Sequence, residues 1–199
     1  MRATAEMKRR AILEAAHAVF LEQGYDATSM AQMAARAGGS KQTFYGYFSS
    51  KAELFAAVML EKGAGRAMPI FERLDPRAEL GEALRGFGRD FLAFLLSDEI
   101  LALRRMIVSE GHKSDLGQLF YVNGPKRGWG LMSDYFSAMM ANGKMRRADP
   151  DRAAAHLQGL LEAGPFERRL VGARGPVSAD EIALAVDEAV DIFVRGYGL

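Results

Sequence analysis

The stretch Ser40–Phe48, SKQTFYGYF, combines two demands within nine residues. Phe44 and Phe48 stand four residues apart, the spacing that stacks two side chains on one face of a helix. Around them Lys41, Gln42, Thr43, Tyr45 and Tyr47 all carry hydrogen-bonding groups. A helix held down by two phenylalanines would therefore turn a Lys-Gln-Thr-Tyr surface outward. Ser40 stands where an N-cap belongs, so a short helix over residues 41–47 is expected.

Upstream, Ile12, Ala15, Ala16, Val19 and Phe20 form a helical stripe over about residues 5–23, stopped by Gly24. Thr28 or Ser29 can cap a second helix over about 29–37, with Met30, Met33 and Ala34 facing inward. Gly38-Gly39-Ser40 then breaks the chain before the 41–47 helix. Downstream, Ser49-Ser50-Lys51 opens a fourth helix, AELFAAVMLEKGAGRA, whose inner face is Leu54, Phe55, Val58 and Met59. Two short helices joined by a glycine-containing turn are the ingredients of a helix-turn-helix. In such a unit the second helix enters the DNA major groove. Lys41 and Gln42 would then reach base edges, since Lys suits guanine and Gln suits adenine. Thr43, Tyr45 and Tyr47 suit phosphates, sugars or thymine methyls. Thr28, Ser29 and Ser40 add hydroxyls at helix N-termini, where phosphate is favoured, and Lys51 adds a further backbone contact.

Residues 8–56 resemble the N-terminal DNA-binding domain of the TetR (tetracycline-repressor-like) family of bacterial regulators. The resemblance is carried by ILEAAHAVFLEQGYDATSM, the AARAGGS turn, FYGYF and SKAELF. One departure is Gly39, where the family usually has an apolar residue such as Val, and the expected effect is a looser turn. The resemblance implies an all-α homodimer with one helix-turn-helix per subunit and a variable C-terminal domain that binds a small inducer. Its expected function is a transcriptional regulator, most often a repressor, that binds a palindromic operator and is released by an effector. The expected domains are 1–52, with helix 4 (about 51–66) connecting, and 67–199 for ligand binding and dimerisation.

Beyond residue 70 the resemblance is looser. Residues 63–69 read as a weak point between two units. Asp75-Pro76 reads as a helix start, and further helices are expected over about 77–96, 99–111, 115–142 (kinked at Gly124-Pro125), 150–171 and 179–197. Asp149-Pro150 and the capping box Ser178…Glu181 open the last two. Those two helices are apolar over a wide arc, and isologous packing of the pair from each chain would make a four-helix interface. A monomeric bundle would use the same residues as core. Aromatic and methionine residues are dense between them and the first domain. Phe91, Phe94, Met106, Phe120, Trp129, Met132, Tyr135, Phe136 and His156 are candidates to line an apolar effector pocket, or else to serve as ordinary core.

The composition is consistent with this. Residues 1–51 hold seven Lys/Arg against four acids, while the remainder carries 19 basic and 21 acidic residues, a mild basic excess beside the proposed polyanion site. With no cysteine, disulfides, thiolate metal sites and cysteine nucleophiles are excluded. The N-terminal stretch has no uninterrupted apolar h-region, and no run approaches the ~18 apolar residues of a membrane span, so a cytoplasmic location without membrane contact is expected. Neither metal nor cofactor is expected. Glu14-x-x-His17 has the spacing of a di-iron half-site, but such sites need two copies and further glutamates. No G-x-S-x-G, phosphate loop or H-E-x-x-H is present, so catalysis is not expected. A pure protein-interaction module would lack the donors of the 41–47 helix.

Overall fold

The computed structural model describes residues 2–113, 115–173 and 175–199, and every regular element among them is helical. In order these are α1 (Arg2–Gln23), α2 (Met30–Arg36), α3 (Lys41–Tyr47), α4 (Lys51–Met59), a π-helical turn (Leu60–Ala64), α5 (Gly65–Glu72), α6 (Leu80–Leu95), α7 (Asp98–Glu110), α8 (Leu116–Asn123), α9 (Pro125–Ala141), α10 (Pro150–Glu162), α11 (Pro165–Leu170) and α12 (Ala179–Tyr197). Packing divides the chain into two compact units. One is Met1–Gly65 with Ala102–Gly124, and the other is Arg66–Leu101 with Pro125–Leu199. The boundary near Gly65 falls in the glycine-rich stretch read as a weak point. Helical backbone nevertheless runs through it, as the π turn and then α5 around Pro69.

The first unit is built on the α1 stripe. Leu13, Ala16 and Phe20 of α1 are buried, as are Met33 of α2, Phe44 of α3, and Leu54, Phe55 and Val58 of α4, with α1 packed on α2 and α4 and α2 on α3. Phe20 meets Phe55 edge-on at 4.8 Å, and Tyr25 meets the same ring at 5.3 Å. Each fully buried Phe or Leu side chain contributes about 1.5–3 kcal/mol. α8 packs along α4 and buries Leu116. The α7–α8 corner is tight: a Cβ on Gly117 would lie 2.8 Å from the Gly111 carbonyl oxygen, so neither glycine leaves room for a side chain.

In the second unit α12 packs against α6 and α10, and α10 against α9. Leu84, Leu92, Met132, Phe136, Leu157, Val186, Val190 and Phe193 form its core, with Phe136 and Phe193 stacked at 5.1 Å. Gly88 permits the close approach of α6 to α12, since a Cβ there would lie 2.7 Å from Val186 Cγ1. Arg89–Asp187 and Arg85–Asp191 pairs edge that seam, and being exposed they add little.

Three boundaries differ from the sequence reading. Asp75-Pro76 forms a turn, with the Asp75 carboxylate accepting from the Arg77 N–H at 2.8 Å, and the helix begins at Leu80. Its cap is the Glu79 carboxylate, which accepts from the N–H groups of Gly81 and Glu82. Gly124 separates two helices, α8 and α9, where a single kinked one was expected. Gly164, at φ +77°, divides the expected 150–171 helix into α10 and α11. Asp149 and Ser178 cap as expected, the latter in a full capping box with Glu181.

Candidate nucleic-acid interface

The turn between α2 and α3 follows from its residues. Gly38 adopts φ +66°, a conformation open to glycine at little cost, and closes α2. The Gly39 N–H donates to the Ala34 carbonyl at 3.0 Å. A Cβ on Gly39 would reach the Phe44 ring and the Ala34 oxygen at an ordinary 3.9 Å, so a Cβ fits there without displacing either. Ser40 caps α3, accepting from the Thr43 N–H at 3.1 Å, and its hydroxyl also meets that of Thr43 at 2.9 Å. Ser29 caps α2 reciprocally with Gln32, whose side-chain oxygen accepts from the Ser29 N–H at 2.8 Å. At the far end of α2, Arg36 pairs with Glu22 of α1, and that bond holds the Glu22 carboxyl below its usual range.

α3 presents two faces. Phe44 and Phe48 are buried, while Lys41, Gln42, Thr43 and Tyr45 are exposed and Tyr47 is half-buried. The Lys41 ammonium lies 5.7 Å from the Tyr45 ring, so these two form one exposed patch. Ser29 and Ser40 are exposed beside the turn with their backbone caps made.

Thr28 and Lys51 stand differently from the expectation of DNA donors. Thr28 is buried, and its hydroxyl donates to the Tyr25 carbonyl at 2.8 Å. Lys51 turns inward: its ammonium donates to the carbonyls of Tyr25 (2.8 Å) and Thr28 (3.0 Å) and lies 4.2 Å from the Tyr25 ring centre. Both therefore fasten the loop between α1 and α2. Burial lowers the Lys51 pKa, while Asp26 and Glu110 oppose that shift.

A second lysine reaches the same loop from the α7–α8 corner. Lys113 donates to Asp26 at 3.3 Å and to both carboxylate oxygens of Glu110, at 2.8 and 2.9 Å. Ser109 donates to Glu110 at 2.6 Å. The Lys113 bond, then the Ser109 bond, pull the Glu110 pKa down to about 2. Neither Lys113 nor Glu110 was singled out from sequence, because the contact with Asp26 spans 87 positions and leaves no local pattern.

The candidate pocket residues are divided by the fold. Met106 and Phe120 belong to the first unit, where Arg104 lies 5.2 Å from the Phe120 ring. In the second unit Phe91 and Trp129 meet edge-on at 5.3 Å, with Phe94 beside Phe91 at 6.4 Å. Phe71, which the sequence reading did not name, contacts Phe87, Phe91 and Trp129 at 4.9, 5.6 and 5.5 Å. Met132 and Phe136 are core residues. Tyr135 is buried, with no hydrogen-bond partner for its hydroxyl among the described residues; burial, with Glu79 and Asp75 adding to it, pushes its pKa up to about 12. His156 lies apart, in a shallow groove of about 470 Å³ between α10 and α12 lined by Ala155, Gly159, Leu160, Ile192, Phe193 and Tyr197. There its Nδ1 meets the Tyr197 hydroxyl at 2.6 Å.

Among the described residues no helix is long and apolar enough to cross a membrane, and no group of three His, Asp or Glu side chains could hold a metal ion.

Comparison with known proteins places this architecture. Residues 12–58 match the family model for bacterial regulatory proteins of the tetR family, and residues 82–199 match the C-terminal domain of AefR-like transcriptional repressors. A TetR-family transcriptional regulator from Mesorhizobium loti MAFF303099 is 32% identical, with 98% of each chain covered and a TM-score of 0.87. The flavonoid-responsive regulator FrrA is 27% identical over 97% of this chain and 98% of its own, with a TM-score of 0.79. The HTH-type transcriptional activator FasR of Mycolicibacterium smegmatis (strain ATCC 700084 / mc(2)155) is 34% identical over 91 residues, which span 46% of this chain and 42% of FasR. With an N-terminal helix-turn-helix, an all-helical remainder and family models matching both parts, the chain belongs to the TetR family of DNA-binding transcriptional regulators.

Proposed function

We propose that the protein is a cytoplasmic repressor that binds a palindromic operator as a homodimer and is released by a small apolar effector. The exposed Lys41–Tyr45 patch on a helix anchored by Phe44 and Phe48 is the observation that carries the DNA-reading part. In this reading Lys41 and Gln42 meet base edges, and Thr43, Tyr45 and Tyr47, with Ser29 and Ser40, meet the sugar-phosphate backbone. Residues 1–52 act as the DNA-binding domain, joined through helix 4 to residues 67–199, which bind ligand and dimerise. Repression is favoured by the match of residues 82–199 to a repressor's C-terminal domain. The activator FasR argues for testing polarity directly.

Dimerisation through α10 and α12 is supported by their outer face. On α12, Ile192 is 57% exposed and lines the groove with Ala155 and Gly159 of α10, and Leu184 is 61% exposed earlier in the same helix. Small residues at that groove allow a second copy's helices to approach. Two such protomers related by a twofold axis would read half-sites one DNA turn apart, about 34–36 Å. Effector binding is assigned to the ring cluster of Phe71, Phe87, Phe91 and Trp129. An aromatic effector, as the name of FrrA indicates for that regulator, would stack there. Its preference for a DNA-incompetent state, on the order of 1–3 kcal/mol, would release the operator.

Selection of duplexes from a random library by the purified protein tests this. A palindrome with half-sites one turn apart, whose complex a stabilising aromatic compound dissociates, is expected. An asymmetric site bound by a monomer, or no enrichment, would refute the reading.

A further inference from the structure

α1 begins well before the core it serves. Residues 5–11 are all exposed, and from residue 5 onward the first buried side chain is that of Ile12. Charges on the outward face of such an overhang would be ordinary solvated residues. Arg9 is not on that face. It stands one turn before Leu13 and two before Ala16, in the middle of the stripe that α1 buries further along. Lys8, one turn before Ile12, lies on one margin of the same stripe, and Glu6 on the other. Arg10 lies on the opposite face and pairs with Glu14 at 3.4 Å in solvent.

The direction of that face is fixed by a contact. The Arg9 guanidinium lies 5.4 Å from the ring centre of Phe48, the residue that caps the C-terminus of α3. It is also near enough to Glu53 to help lower that carboxyl's pKa, after the Ser49 hydroxyl and N–H, which already bond Glu53 at 2.6 and 2.7 Å. A stacked guanidinium keeps its in-plane N–H donors available to an anion, and a planar donor fork suits phosphate.

We propose that Arg9, with Lys8 beside it, is a second DNA contact that grips backbone phosphates flanking the bases met by α3. This rests on the DNA-binding reading above and extends it to a surface continuous with the recognition helix. Such contacts add affinity and salt dependence without sequence information. Arg9, seated on Phe48, also ties the register of α1 to the end of α3.

The test compares wild type, Lys8→Ala/Arg9→Met and Arg10→Ala on the duplex that the wild type selects from a random library, titrated from 50 to 200 mM salt. Arg9→Met retains a side chain over Phe48. Each lost phosphate contact removes about 0.9 from the slope of log K against log salt, so the double variant should lose about 1.8 per protomer. Its affinity should then fall about tenfold less per protomer across that range, with base preference unchanged. Arg10→Ala should keep the wild-type slope. Glu6→Gln should tighten binding. A folded double variant with the wild-type slope, or an Arg10→Ala slope reduced as much, overturns the proposal. If the double variant fails to fold by circular dichroism, Lys8→Ala alone decides, with an expected loss of about 0.9 per protomer. If the wild type selects no sequence, the DNA-binding reading itself fails, and this proposal falls with it.

Discussion

The Lys51 ammonium donates to the Tyr25 carbonyl at 2.8 Å while lying 4.2 Å from the centre of the same residue's ring. One side chain thus satisfies a loop carbonyl and stacks on its aromatic neighbour. Because it also donates to Thr28, it fixes the segment leading into α2. Lys51→Met should therefore destabilise the first unit by about 1–3 kcal/mol, the range for a charged hydrogen bond removed from a partly buried acceptor. The salt slope of DNA binding should stay at its wild-type value. Thermal unfolding beside a salt titration checks both; a normal melting temperature with a slope reduced by about one would identify Lys51 as a phosphate contact instead.

The Glu110 carboxyl has its pKa drawn from 4.5 to about 2 by Lys113 and Ser109. A carboxyl whose folded pKa is depressed stabilises the fold above its unfolded value and loses that contribution as pH falls. The stabilisation should be complete above about pH 5 and decline towards pH 2. Glu110→Gln should be less stable than wild type at pH 7, and the two should converge only as the pH falls to about 2. A melting-temperature difference independent of pH would contradict this.

Gly159 of α10 has open space where a Cβ would stand. Gly159→Arg should leave the protomer folded, and the loss of a helical glycine should add about 0.5–1 kcal/mol to its stability. It should nevertheless block close approach of a second copy. Sedimentation is expected to show a folded monomer with weakened operator binding, whereas an intact dimer would place the interface elsewhere.

Trp129, the chain's single tryptophan, packs against Phe71 at 5.5 Å and Phe91 at 5.3 Å. An effector entering this ring cluster should change its emission and raise the melting temperature with concentration. Trp129→Ala should abolish the stabilisation. Compounds that stabilise the protein while leaving tryptophan emission unchanged would point to another pocket.

Local chemistry was readable from sequence. The caps at Ser29, Ser40, Asp149 and Ser178, the turn at Gly38 and the burial of Phe44 and Phe48 each depend on residues a few positions apart. What escaped depends on distant partners. Nothing near Lys51 signals that it turns towards carbonyls 23 and 26 positions away. Met106 and Phe120 looked like pocket residues because periodicity marks an apolar face without naming the helix that covers it. The chain's return to the first unit over Ala102–Gly124 has no signature in composition. Asp75-Pro76 carries a helix-start signal, but the Asp75 carboxylate bonds the Arg77 backbone and closes a turn instead.

The central claim is that α3 reads base sequence through Lys41 and Gln42. Its most direct test repeats the random-library selection with Lys41→Ala and Gln42→Ala and compares the enriched half-sites with those of the wild type. Each variant should lose preference at a distinct position, at about 1–3 kcal/mol per contact, while remaining folded. Half-sites identical to the wild type's in both variants would contradict the account.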